Sequence, residues 1–129
     1  EDHRYFLMND ELDETRIGRN TKTYIWDVRD LDNPVFIDHY SHDTPNIDHN
    51  LYVLNNKVYQ TNYTAGLRIF ELGDLENAEL IPAGFFDTTP GNNTIDYEGT
   101  WSNYPYFESG VVIVSDINNG LFILNPHLD

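Results

Sequence analysis

Val58-Tyr-Gln-Thr-Asn62 and Leu67-Arg-Ile-Phe-Glu-Leu72, joined by Tyr63-Thr-Ala-Gly66, form the stretch on which the fold turns. β-Branched and aromatic residues suit a pleated, half-buried surface, so each half reads as a strand. Gly66 closes the turn because glycine reaches positive φ without a steric penalty. The same design recurs on either side, as residues 5–10 leading to 24–28 and as residues 111–116 leading to 121–124. Aligning Asn9-Asp10, Thr61-Asn62 and Ser115-Asp116 gives spacings of 52 and 54 residues. The second strand follows five residues after Asn62 and after Asp116, each time through Gly-Leu, at Gly66-Leu67 and Gly120-Leu121.

In the first copy the connection grows into residues 11–23, an acidic then basic insertion that predicts a longer hairpin loop. Turn-like segments at 27–34 and 71–78 lead to further strands at 35–40 and 80–86. A strand at 50–54, with Asn55-Asn56 as its turn, precedes the second copy, and one at 104–107 precedes the third. Four antiparallel strands per unit at a period near 50 residues predict an all-β fold of β-propeller blades. A β-sandwich offers similar short strands but does not need the same four-strand unit to recur. The unbroken apolar run Val111-Val-Ile-Val114 fits a strand packed on both faces.

The count comes to about two and a half blades, an incomplete propeller. The chain is thus one propeller segment, with a partial blade at 1–47, a full blade at 48–95 and a partial blade at 96–129. Closed propellers use roughly four to eight blades, so the apolar blade faces need the remaining blades, in the same or another chain. Glu1-Asp2-His3, so close to the first strand, reads as a cut through a longer chain.

Seven Lys and Arg oppose 22 Asp and Glu, a net charge of −15 that repels phosphate backbones and anionic headgroups. Nucleic acid is therefore excluded as a natural partner, while cations, cationic proteins and neutral glycans remain. Without cysteine there are no disulfides, thiolate metal sites or cysteine nucleophiles. No apolar run approaches the roughly 20 residues of a membrane span. Glu1-Asp-His-Arg4 is not the basic start of a signal peptide, so an exported protein has its signal removed or outside this chain.

Asp48-His-Asn-Leu-Tyr52, Asn62-Tyr-Thr-Ala-Gly-Leu-Arg68, Gly84-Phe-Phe-Asp87, Trp101-Ser-Asn-Tyr-Pro-Tyr-Phe107, Ser109-Gly110 and Val114-Ser-Asp-Ile117 with Gly120-Leu-Phe122 follow one another along the chain. In this order they resemble the C-terminal half of the LVIVD-repeat β-propellers called the choice-of-anchor B family. Glu1-Asp-His-Arg-Tyr-Phe6 and Asp10-Glu-Leu-Asp-Glu14 fit the same pattern, so the resemblance covers nearly the whole chain. It implies a large exported protein of bacteria or eukaryotic microbes, held at the cell surface by interchangeable C-terminal sorting signals. It implies no particular activity. The sequence departs from the family pattern in lacking the N-terminal blades and an anchor after His127-Leu-Asp129.

Several clusters carry candidate chemistry. Asp10, Glu11, Asp13 and Glu14 would gain from a hard cation such as calcium, which takes oxygen ligands. Arg16, Arg19 and Lys22 offer internal pairing instead. His39, His42 and His49, among Asp38, Asp43 and Asp48, offer nitrogen ligands for zinc or copper, although His39 and His42 would point to opposite faces of a strand. His49 alternatively orders the start of a strand near the propeller axis through hydrogen bonds. Asp116-Ile-Asn-Asn-Gly120 has oxygen-rich, glycine-turn character, but a helix–loop–helix calcium site needs Glu where His127 stands, so it reads as a hairpin turn.

Trp101, Tyr104 and Tyr106, with Phe107, are candidates for a sugar-stacking platform, with Asn103 or Asp96 reading hydroxyls, and blade packing is the competing role. Asn62 and Asn92 begin N-glycosylation patterns, Asn62 at a strand end and Asn92 in the more accessible loop. Phosphate loops, nucleophile elbows and zincin motifs are missing from the sequence, and its many carboxylates do not define a glycosidase pair. The expectation is a non-enzymatic extracellular or cell-surface propeller segment, an interaction or assembly scaffold with a protein or glycan surface as partner. It requires no cofactor and allows calcium. The alternative is a glycan-binding or glycan-hydrolysing module, with calcium dependence as an option.

Overall fold

The computed structural model describes residues 3–128, arranged as three antiparallel sheets. Glu1, Asp2 and Asp129, which belong to the terminal motifs above, lie outside the described residues. The first sheet has the order β1 (Tyr5–Met8), β2 (Lys22–Asp27), β3 (Val35–Ser41). The second has four strands, β4 (Asn50–Leu54), β5 (Lys57–Thr61), β6 (Leu67–Leu72) and β7 (Leu80–Phe86), each paired with the next. The third runs β8 (Thr100–Tyr104), β9 (Val112–Asp116), β10 (Gly120–Leu124). All strand pairing between these elements stays within a sheet, and no closed barrel forms among the described residues.

The turns follow from their residues. Asn55 and Asn56, at φ of 48° and 60°, make the two-residue reversal between the paired Leu54 and Lys57. That double positive φ is what a tight hairpin requires and asparagine tolerates. Gly66 sits at φ 77°, and a Cβ there would lie 2.2 Å from the Phe86 carbonyl oxygen, so both backbone conformation and space demand glycine. Asp116 Oδ1 accepts from the amides of Asn118 and Asn119 at 2.9 and 2.8 Å, which makes the segment before Gly120 a hairpin turn capped by its own aspartate.

The middle sheet is covered on both faces. Val58, Phe70 and Leu80 pack with Leu7 and Ile25 of the first sheet, while Tyr59, Leu67 and Ile69 pack with Val112 and Val114 of the third. The doubly buried strand is therefore β5. The run 111–114 buries only Val112 and Val114, and Ile113 is turned to the far side.

Register makes the three sheets equivalent. Tyr5 pairs with Asp27, and Lys57 pairs with Glu71; from these anchors Ile25 and Trp26 match Ile69 and Phe70. A register shift falls between each of these two pairs, at the same step of both sheets. Phe6, Val58 and Val112, spaced 52 and 54 residues apart, then occupy one position, and Leu7, Tyr59 and Ile113 occupy the next. Val58 and Val112 face the preceding sheet, and Leu7 and Tyr59 the following one. Phe6 is 53% exposed on the outside of the first sheet.

Two expectations are corrected. The strand placed at 104–107 is β8, which ends at Tyr104 because Pro105 has no N–H to give to the ladder. The long loop at 11–23 contains a short helix, α1 (Asp13–Ile17), closed by Gly18 in the left-handed region with its N–H on the Glu14 carbonyl at 2.8 Å.

Candidate functional site: an acidic and aromatic corner

The insertion between β1 and β2 is what builds the corner. Asp10 Oδ1 accepts from the Leu12 amide at 3.1 Å just before α1, which turns Asp13 and Glu14 inward. Facing them is the segment 42–49. It is tied down by Thr21, whose amide donates to the Thr44 carbonyl at 3.1 Å and whose hydroxyl donates to the Asn46 carbonyl. Asn46 Nδ2 in turn donates to Thr64 Oγ1 at 2.7 Å, and Ile47 is fully buried. These anchors fix Asp48 and His49 just before β4.

Three of the four acids of residues 10–14 go to different partners. Asp10, at the surface, accepts from the Leu12 amide. Glu11 accepts the phenolic hydrogen of Tyr63. Asp13 Oδ2 accepts from Tyr24 Oη at 2.5 Å and lies 3.5 Å from Arg19 Nε. Glu14 is 0% exposed, and its carboxylate oxygens make no well-formed hydrogen bond, meeting only the Asp13 carboxyl and the Glu14 backbone. Asp48, also 0% exposed, accepts from Asn9 Nδ2 on Oδ2 and leaves Oδ1 unpartnered. Burial first, then the Asp48 charge, pushes the Glu14 carboxyl up to about 9. Burial likewise pushes Asp48 up to about 8, opposed by its bond from Asn9. Tyr24 rises to about 12 through burial and its bond to Asp13.

The aromatic half of the corner adjoins the acids through Tyr63. The His49 ring forms a triangle with Tyr63 and Trp101, with centroids 4.4 and 5.3 Å away, and burial lowers its pKa. A contact with the Trp101 backbone opposes that lowering, and ring packing adds to it in holding His49 just before β4. Tyr97 meets the edge of Tyr63 at 5.4 Å. Trp101 is the extra residue where the β8 register shifts between Thr100 and Ser102, and such a bulge re-aims its side chain. It stands 53% exposed over His49.

The proposed stacking platform is thereby split. Tyr104 and Tyr106 lie 5.4 Å apart in a second cluster with Phe107 and Tyr52, where Tyr106 Oη donates to the Val53 carbonyl at 3.0 Å. Asn103 is buried and donates to the Tyr59 carbonyl at 3.3 Å, so it is not free to read a sugar hydroxyl. Asp96 is exposed and turns back to the Tyr97 amide at 2.7 Å.

The three histidines do not meet. His39 pairs locally with Asp38 at 2.9 Å. His42 is buried between Tyr40 and Phe70, with Nε2 3.0 Å from Thr23 Oγ1, and burial drives its pKa down to about 4. His49 belongs to the aromatic corner. Among the described residues, no three His, Asp or Glu side chains converge as a ready metal-ligating group. Asn62 is 1% exposed, and a glycan there is incompatible with its packing; Asn92 lies in the accessible loop, its Oδ1 accepting from Thr94.

A separate groove of about 550 Å³ opens at the opposite edge, among Arg4, Asp27, Arg29 and Glu76. Its charges are mutually paired, Arg4 with Asp27 at 3.2 Å and with Glu76 at 2.7 Å, and Arg29 with Asp27 at 2.8 Å. The Arg29 amide and guanidinium, with Arg4, hold the Asp27 carboxyl at about 2. This pairing ties the first sheet to the turn at Leu75–Asn77 in the second, a structural role.

Asn9, Asp48, Tyr24 and Tyr63 are corner residues that no sequence motif places together. Their contacts span 11 to 52 positions of sequence, and no local periodicity signals them. Comparison with protein-family models, curated proteins and solved structures finds no match for this chain.

Proposed function

We propose that the three sheets are consecutive blades of an incomplete, LVIVD-like β-propeller that works as a non-enzymatic interaction or assembly scaffold at the cell surface or outside the cell. The observation that carries this reading is the positional equivalence of Phe6 with Val58 and Val112. Two members of that set are buried against a preceding sheet, and the third is exposed. On its other side the third sheet leaves Leu121 and Ile123 61% and 70% exposed, an apolar face of the kind that Leu7 and Tyr59 bury against a following sheet. Apolar faces of this extent call for a cover. A further antiparallel sheet, in the same or another chain, has the matching shape. The approach of β4 to β8, with the bridge between Tyr63 and Thr100, supports a radial arrangement with these strands innermost. Placement outside the cell rests on the order of motifs alone.

Size-exclusion chromatography with light scattering on the 129-residue chain tests the scaffold. Concentration-dependent association is expected, and a compact monomer at all concentrations overturns it. One observation favours a second reading, glycan binding: Trp101 is exposed and backed by His49, as a sugar-stacking indole would be. A glycan array probed with the chain and with Trp101→Ala decides it.

A further inference from the structure

We propose that Glu14 and Asp48 bind a hard divalent cation, calcium by the chemistry of the donors, at the seam between α1 and the segment that enters β4. The acidic loop alone would not carry this, because three of its four acids already have partners. Glu14 differs from them. It is 0% exposed, neither of its oxygens makes a well-formed hydrogen bond, and what they meet is the Asp13 carboxyl and the residue's own backbone amide. Asp48 is 0% exposed and has Oδ1 free, and the two carboxylates repel each other. The Asn9 amide that donates to Asp48 Oδ2 leaves its own Oδ1 buried and unpartnered. Asp13 Oδ1, next in sequence to Glu14, is buried and makes no well-formed hydrogen bond either.

Donors would be the natural neighbours of so many buried oxygens, since an unpaired buried carboxylate is costly. Arg19, the cation that pairs within this loop, is directed at Asp13 Oδ2. Every free atom of Glu14, Asp48 and Asn9 is instead an oxygen acceptor, the ligand type of calcium and magnesium and not of zinc or copper. Two carboxylates and one amide oxygen, completed by water, balance a charge of +2. Calcium accepts such an irregular set, whereas magnesium demands near-ideal octahedral geometry and gives up its waters reluctantly. The cation would join the insertion after β1 to the start of β4 and so stiffen the corner on which Tyr63, His49 and Trp101 stand.

The test is calorimetric titration of the chelator-stripped chain with calcium chloride, with magnesium chloride as the second arm and thermal unfolding run in parallel. About one calcium per chain is expected, with Tm raised by about 5–10 °C at roughly 100 times the dissociation constant. Glu14→Gln and Asp48→Asn should each abolish the calcium response, and Asp10→Asn, at the surface of the same loop, should keep it. Two results overturn the proposal: no heat and no Tm shift with calcium in the unsubstituted chain, or loss of the response in Asp10→Asn as complete as in Glu14→Gln. The unsubstituted chain decides the matter even if a variant does not fold.

Discussion

Tyr63 donates its phenolic hydrogen to the Glu11 carboxylate, across 52 positions of sequence, and this bond fastens the insertion after β1 onto the middle sheet. The ring itself is 1% exposed and packs on His49, while burial and the Glu11 bond raise the phenol pKa. Tyr63→Phe keeps the ring and removes only the bond. A hydrogen bond to a charged group contributes about 1.5–3 kcal/mol, so the urea midpoint should fall by a corresponding amount at unchanged m-value. An unchanged midpoint would mean that the insertion is held by packing alone.

Two glycines at positive φ should respond very differently to alanine. At Gly120, φ is 83° and nothing lies within 4 Å of the added Cβ, so Gly120→Ala should cost only the conformational penalty of about 1–2 kcal/mol. Gly66 has the same kind of φ but brings its Cβ to 2.2 Å from the Phe86 carbonyl oxygen and 2.9 Å from the Asp87 Cα. Both neighbours are backbone, so the β6–β7 pairing must shift to make room. Gly66→Ala should therefore lower Tm by at least twice as much as Gly120→Ala, and equal losses would refute the close approach.

Stability of the chelated protein should decline as pH rises from 4 to 9, because two raised carboxyls outweigh one lowered imidazole. His42 is held neutral by burial, its pKa lowered from 6.5 to about 4. Its contribution is full above pH 6.5 and is lost as pH falls toward 4, where the unfolded chain binds the proton more readily. Glu14 and Asp48 are raised to about 9 and about 8. Their contribution is full below the unfolded carboxyl range and declines as pH rises toward 9. Urea midpoints measured from pH 4 to 9 in chelator check this: His42→Gln should steepen the decline between pH 4 and 6.5, and Glu14→Gln should make the whole decline shallower. A Glu14→Gln profile parallel to that of the unsubstituted chain would remove the buried acid from the account.

The strands were legible because each carries its pattern locally: Val58 and Phe70 on one face of the hairpin, Tyr59 and Ile69 on the other, and Asn55-Asn56 at the reversal. The misplacement at 104–107 came from aromatic content, which favours strands, overriding Pro105, which cannot join one. The corner was hidden for a different reason. Acidic residues in an insertion suggest a solvated loop, yet Glu14 is fully buried, and only tertiary packing brings Asp48 to it from 34 positions away. Trp101 was recognised as an aromatic, but its separation from Tyr104 depends on a bulge that no residue type announces.

If the outer sheets await neighbours, the contact should be head to tail, because the following side of the third sheet must meet the preceding side of the first. Leu121 and Ile123 lie opposite Ser115 and Ile113 on the outside of the third sheet, and Phe6 lies beside Trp26 on the outside of the first. Replacing residues this exposed changes folding stability little, typically within about 0.5 kcal/mol, so Leu121→Glu with Ile123→Glu, and Phe6→Glu separately, should leave Tm near that of the unsubstituted chain. Each should abolish self-association, since a heterologous contact needs one intact face of each kind. Mixing the two variants should restore a single contact, because the first retains the Phe6 face and the second retains the Leu121 face. Light scattering should then report a dimer that grows no further. Two monomeric variants that stay monomeric when mixed, or either variant associating alone, would exclude a head-to-tail stack and leave the exposed faces without the role proposed for them.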